Sequence, residues 1–417
     1  MVVAKPTGIY IHIPFCARKC TYCNFNTTDF FEDLAERYVE AVEREIAFWG
    51  ETLWDDGVFA PAIPLRDTFA AHRPISPTGN QQQLQVDSIY FGGGTPSIIE
   101  SRQIARIMAA CRNSFDVSGE AEITIEINPG AFSKNKIEGW LEAGVNRASV
   151  GVQSFADREL ASLSRTHTAD DSRRTIEALR ASGFDNVSLD LIAGLPEQTL
   201  PVWESNLSDA LALRPEHLSL YLLEVKEGTQ LHSQIKRGLT AMPDEDLAAE
   251  IYEVLCNQAR GAGYEQYEIS NFALSPVAGE KRAADFKSKH NLKYWTGSPF
   301  YGMGCGAHSY DGRARWSNTL RTESYIEQVE LTGRAVAERR EPAASELAAE
   351  ALFMALRLNE GVKLSEFHEA YGVDPLERFG DDLPRLREAG LLDIAEGRLL
   401  LTARGRLFSN EVFVSLI

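Results

Sequence analysis

The stretch Gly8-Ile-Tyr-Ile-His-Ile-Pro-Phe-Cys16-Ala-Arg-Lys-Cys20-Thr-Tyr-Cys23 runs a β-branched, apolar segment straight into three closely spaced cysteines. The run Gly8–Ile13 has the length and composition of a buried strand. The CxxxCxxC that follows lies on a loop. A regular helix or strand would send its three sulfurs in different directions, whereas a loop lets them converge. The chain of 417 residues holds six cysteines, three of them within these eight positions, which is not the spread of a disulfide framework. Thiolates are soft ligands suited to zinc or to iron–sulfur clusters. Structural zinc wants four ligands; His12 offers itself only from within the strand, and no second cysteine pair follows. Three thiolates on a four-iron cluster would leave one iron open to an outside ligand. The spacing favours a [4Fe–4S] cluster held by Cys16, Cys20 and Cys23.

Outward from this loop, similar strand-like runs recur at Val86–Phe91, Ala121–Ile127, Arg147–Val152, Asn186–Ile192 and His217–Leu222. Helical periodicity fills most of the gaps, most clearly over Asp29–Trp49, where Leu34, Tyr38, Val42, Ile46 and Trp49 form one stripe. This alternation predicts parallel βαβ units in an α/β fold. Six strands close only part of an eight-stranded barrel, so the expectation is an open partial TIM-type (β/α)6 barrel over residues 1–228, with ligands at the carboxyl ends of the strands. Residues 55–85 hold four prolines and three consecutive glutamines and read as a mobile loop insertion. An extension follows over 229–335, with a helix around Asp244–Gly261 and stretches dense in aromatics and glycine. Residues 342–417 read as a small, mostly helical, winged-helix-like domain, its hairpin wing turning at Glu396-Gly397.

Hydrophobic residues make up 44% and charged residues 24%, ordinary values for a globular protein. No run is long enough for a membrane span and no leader pattern opens the chain, so the expectation is a cytoplasmic protein, with peripheral membrane contact left open. A net charge of -18 argues against nucleic acid as a partner.

Several polar residues fall at or just beyond strand ends. Gly92-Gly93-Gly94-Thr95-Pro96 follows the second strand, and three glycines in a row point to close approach by a ligand. Glu126 ends the third strand and can accept ribose hydroxyls, or stand as a solvated strand-end carboxylate. Gln153 ends the fourth, and Arg165 beyond it can grip a carboxylate. Asp190 interrupts an apolar strand and requires a partner, structural or ligand.

Together these motifs resemble the radical S-adenosylmethionine superfamily, in which the amino and carboxylate groups of S-adenosylmethionine chelate the open iron. His12-Ile-Pro-Phe-Cys16, Gly92-Gly-Gly-Thr-Pro, Gly151-Val-Gln-Ser-Phe and Leu189-Asp-Leu-Ile-x-Gly-Leu-Pro are similar to the oxygen-independent coproporphyrinogen oxidase group. The resemblance implies a nucleotide site lined by Tyr10, Tyr22, Gly93, Gly94, Thr95, Glu126, Gln153, Arg165 and Asp190. In the oxidase, some positions equivalent to Gln153, Arg165 and Asp190 serve a second S-adenosylmethionine. The oxidase motif continues to a fourth cysteine, where this chain has Phe25, and the oxidase's long N-terminal extension is missing. His290-Asn-x-x-Tyr294-Trp295 and Gly302-x-Gly-x-Gly-Ala-His308-Ser resemble instead the HemW-type heme chaperones, which implies heme as a ligand and respiratory heme proteins as acceptors. His290 offers an imidazole for heme iron, while Tyr294 and Trp295 offer flat apolar surface. His308, His12 and Cys305 are alternative iron ligands, and a packed turn closing the barrel's open side is the structural alternative for the whole motif.

The resulting expectation is a heme carrier whose cluster and nucleotide serve binding or transfer. Oxidative decarboxylation of coproporphyrinogen III is the enzymatic alternative. Radical modification of nucleic acid or protein fits the charge least.

Overall fold

The computed structural model describes residues 6–52, 83–130, 133–276 and 285–416. Most of the expected insertion at 55–85 lies outside them. Six parallel strands form the frame: β1 (Thr7–Ile13), β2 (Gln85–Gly93), β3 (Asp116–Ile127), β4 (Arg147–Gln153), β5 (Val187–Ala193) and β6 (His217–Leu222). They lie side by side in chain order, each strand parallel to the one before it.

The strands alternate with period two, but their polarity is inverted relative to a simple core. Ile9, Ile11 and Ile13 of β1, Ile123, Ile125 and Ile127 of β3, and Val187, Leu189 and Leu191 of β5 are buried in one apolar cluster. That cluster also takes Tyr38, Val42, Ile46 and Trp49 from the helix Glu32–Thr52. The intervening positions carry Tyr10 and His12 of β1, Glu126 of β3 and Asp190 of β5, with Tyr90 of β2 and Ser149 of β4 beside them. Apolar packing thus holds the helices outside, and polar side chains line the concave interior.

The sheet continues at both edges, to twelve strands. Beside β1 lies a further parallel strand, Phe300–Met303, pairing Gly8 with Phe300 and Tyr10 with Gly302. The glycine-rich composition of this segment hid it from sequence reading. Antiparallel strands His308–Tyr310, Arg315–Asn318 and Val336–Arg340 extend that edge. At the other edge, the hairpin of Tyr264–Gln266 and Asn271–Leu274 packs against β6. Residues 344–416 have their own apolar cluster, including Leu352, Phe367, Leu386, Leu399 and Phe413. Its hairpin, Leu392–Ala395 with Arg398–Leu401, turns at Glu396 (φ 51°) and Gly397 (φ 73°), both left-handed as a two-residue turn demands.

Candidate functional site

Past β1 the chain forms the cysteine loop. Its base is pinched shut: Phe15–Cys16 pairs with Thr28–Asp29, and the Phe30 N–H donates to the Cys16 carbonyl (3.2 Å). Its far side is fixed at Thr21, whose N–H donates to the Leu163 carbonyl (3.2 Å) and whose carbonyl accepts from the Leu231 N–H (2.8 Å). Cys16, Cys20 and Cys23 are free and half-buried. Burial raises the thiols of Cys16 and Cys23. Opposing it at Cys16 are the Thr95 hydroxyl, 3.6 Å from the sulfur, and the Arg165 guanidinium. Arg165 also donates to Cys20 Sγ at 3.5 Å. A cation and a hydroxyl aimed at thiol sulfurs favour thiolates, the form that ligates metal.

The donor set bears on which metal. Among the described residues, no three His, Cys, Asp or Glu side chains gather tightly enough to hold a single ion. His12, the fourth ligand a zinc site would need, has Nδ1 at 3.1 Å from the Tyr10 hydroxyl and Nε2 at 2.9 Å from the Asn26 carbonyl, so both nitrogens are engaged. Three soft thiols on one loop, with both nitrogens of His12 already engaged, fit a cluster that asks the protein for three thiolates.

The glycine segment packs against this loop. The Gly94 N–H donates to Ile13 O and the Thr95 N–H to Phe15 O, both at 2.8 Å. Gly93 sits at φ +115°, and a Cβ there would come within 2.6 Å of the His12 ring; at Gly94 it would come within 2.7 Å of the Pro14 and Phe15 carbonyls. Crowding by the protein's own atoms thus gives Gly93 and Gly94 a second reason, beside the ligand approach expected from the sequence.

Glu126 is not a solvated strand-end carboxylate. It accepts from the Tyr90 hydroxyl (2.9 Å) and from the Gly93 N–H (3.1 Å), so it braces the glycine segment. Burial, and then the nearby Asp190 carboxyl, push its pKa up to about 7. Asp190 accepts from the Ser149 hydroxyl at 3.2 Å, and burial raises it too. Arg165 spends its fork on protein: it donates to Gly151 O (2.7 Å), to Asn128 Oδ1 and to Cys20, leaving buried Nε without a partner. Gln153 sits at φ 64° where the β4–β5 register shifts, a strained conformation for a residue with a side chain. Tyr22 packs against the small apolar cluster of Leu163, Ile192 and Leu195. The structure thus gathers Tyr10, Gly93, Gly94, Thr95 and Glu126 on one side of the cysteine loop, and Tyr22 and Arg165 on the other. Sequence reading missed Tyr90, Ser149, Asn128 and Asn26; the polar Asn128 in Ile-Asn-Pro-Gly at a strand end was the one available signal.

His290 adjoins this group: its ring stacks on Tyr90 with centroids 5.3 Å apart and lies 6.2 Å from the Tyr10 ring. Its short helix, Lys289–Trp295, plugs the amino end of the barrel. His290 Nδ1 is 3.1 Å from the Ser88 hydroxyl and Nε2 is 3.0 Å from the Tyr294 hydroxyl. Burial, and then Lys293, push its pKa down to about 3, so the ring is neutral. Its partners are side chains, not the backbone expected of a packed turn. The flat surfaces beside it are also covered: Phe300 meets Tyr294 edge-on at 4.6 Å, and Arg357 lies over Trp295 at 4.4 Å. Below them Arg147, Glu122, Ser188, His217 and Tyr267 complete a buried polar floor.

Two family models match: the radical SAM superfamily over residues 79–205 and the HemN C-terminal domain over 343–408. The first begins after the cysteine loop, so the loop's assignment rests on its own residues. The heme chaperone HemW of Bacillus subtilis is 34% identical over 405 residues, 97% of each chain. The chain belongs to the HemW family. HemW of Mycobacterium tuberculosis is 33% identical, over 99% of this chain and 95% of the relative. The Escherichia coli coproporphyrinogen III oxidase, a radical SAM enzyme, superposes with a TM-score of 0.78 at 22% identity, over 99% and 90% of the two chains, which shows a shared fold. Radical SAM membership of the HemW family implies a [4Fe–4S] cluster and S-adenosylmethionine. Among the described residues, no helix is long and apolar enough to cross a membrane.

Proposed function

We propose that this chain is a heme chaperone, binding heme and passing it to acceptor heme proteins, respiratory ones among them. In this reading Cys16, Cys20 and Cys23 hold the cluster, and S-adenosylmethionine lies among Tyr10, Tyr22, Gly93, Gly94, Thr95, Glu126, Gln153, Arg165 and Asp190. The observation that carries it is the near-full-length identity to proteins named heme chaperones. Phe25 adds support: where the oxidase motif has a fourth cysteine, this chain presents a phenyl ring that is 61% exposed.

A bound cluster would supply an electron to the sulfonium of the nucleotide. The chain's own residues do the rest. Arg165 holds positive charge beside Cys20 and leaves one unpaired N–H, while Glu126 fixes the Gly93 N–H and with it the shape of the glycine segment. The test is anaerobic: cluster-reconstituted protein is given coproporphyrinogen III, S-adenosylmethionine and a reductant, and separately titrated with heme. Stoichiometric heme uptake without product is expected. Protoporphyrinogen formed over many turnovers would sink the carrier reading in favour of the oxidase.

A further inference from the structure

We propose that heme docks on the outer face of the cysteine loop, its ring on Phe25 and Leu320, its propionates toward Arg18, Lys19 and Arg321, and its iron on His308. This rests on the heme-chaperone reading above and gives it a location.

The surface is built by a seam between two distant segments. Asn26 Nδ2 donates to Leu320 O (2.8 Å) and lies 3.4 Å from Cys305 O, while the hydroxyls of Thr28 and Thr322 meet at 2.7 Å. Residues 25–28 therefore run alongside 320–322. On the rim of that seam, Phe25 is 61% and Leu320 64% exposed. Large apolar side chains exposed together mark a binding surface more often than chance.

Charge selects the occupant. Arg18, Lys19 and Arg321 are all exposed, and none forms an ion pair with a described residue, in a chain whose net charge is -18 and whose other arginines are widely paired. Lys19 Nζ donates to the Phe25 backbone carbonyl at 3.3 Å, which holds its ammonium at that residue. Past the Thr28–Thr322 contact the seam turns acidic, with exposed Asp29, Glu32, Asp33 and Glu323 following in the two segments, so carboxylates are directed to its Phe25 end. A flat apolar ring carrying two carboxylates matches an apolar pair fringed by uncommitted cations.

The axial ligand follows by availability. His290 and His12 have both ring nitrogens engaged, and Cys305 is wholly buried. The His308 side chain is exposed, and its ring makes no hydrogen bond to a described residue. It lies two residues past Gly306, where a Cβ would stand 2.8 Å from Asn26 Nδ2 and 3.2 Å from Leu320, so its strand leads directly off the seam.

The experiment uses full-length, cluster-reconstituted protein titrated with heme and with heme dimethyl ester, followed by Soret absorption and electron paramagnetic resonance. All variants are at the surface, and cluster content and thermal midpoint are compared with wild type. His308→Ala is expected to lose the imidazole-ligated spectrum. Arg18→Glu with Lys19→Glu is expected to weaken heme about tenfold or more, while affecting the uncharged ester much less. Phe25→Ser with Leu320→Ser should weaken both probes. Heme bound with unchanged affinity and spectrum in all three variants overturns this site and leaves the chaperone reading standing. Wild-type protein that takes up no heme overturns both. Normal heme uptake with lost delivery to an apo-acceptor would make the surface a protein-docking face and overturn the proposal as well.

Discussion

The two ends of the barrel are both lined by buried polar side chains, yet they are built to opposite ends. At the amino end, Ser88, His290 and Tyr294 satisfy one another, as do Ser188, His217 and Tyr267, while Arg147 Nε of the same floor has only its ion pair with Glu122. At the carboxyl end, three free thiols, an unpaired Arg165 Nε and two carboxyls of raised pKa stand together. Buried polar groups with complete partners rigidify a fold; groups left short of partners beside free thiols are where a ligand can complete them. A histidine in a recognisable motif is thus less telling than whether its nitrogens are spoken for.

Substitutions at each end can break this contrast. The largest effect is expected at the cysteine loop: replacing Cys16, Cys20 or Cys23 by alanine should abolish the visible iron–sulfur absorption, and iron and sulfide analysis would confirm it. A full cluster surviving in any of the three would refute the site. At the floor, Arg147→Ala leaves Glu122 buried without its cation, 4.0 Å away in the ion pair. Urea unfolding should show a loss of about 3–5 kcal/mol, with cluster content intact at permissive temperature. His290→Ala strands the buried Ser88 and Tyr294 hydroxyls and should cost about 2–3 kcal/mol by the same measurement. Heme affinity and spectrum should be unaltered; a changed heme spectrum would put the axial ligand back in the floor.

The smallest expected effect is the most diagnostic of the carboxyl end. Glu126 has a pKa raised to about 7, so the folded state binds its proton more tightly than the unfolded chain does. Its contribution is present in full below the ordinary carboxylate range and is lost as pH rises through about 7. Wild type should therefore lose stability relative to Glu126→Gln across that window, in paired denaturant titrations. Parallel curves would mean Glu126 is charged throughout.

Much of this was legible along the chain. The strand-to-cysteine junction, the alternation of strands with helices and the turn at Glu396-Gly397 each depend on neighbours close in the chain, and local pattern reports local constraint. The parallel strand Phe300–Met303 was hidden because its partner is β1, at the other end of the chain, and the glycines in and after it lack β propensity. The glycine triplet was visible, but its crowding was not, since the His12 ring and the Pro14 carbonyl that crowd it come from another part of the chain.

The sequence by itself determined the alternation that builds an open α/β barrel and the three thiols at its mouth, because period and spacing are properties of consecutive residues. Tertiary structure alone decided which polar groups are spent and which are left over. Ser88 and His290 stand 202 residues apart, and only the closed floor brings them to 3.1 Å. Hydrogen bonds between such positions leave no periodic trace, so the availability of a side chain for chemistry is settled by folding.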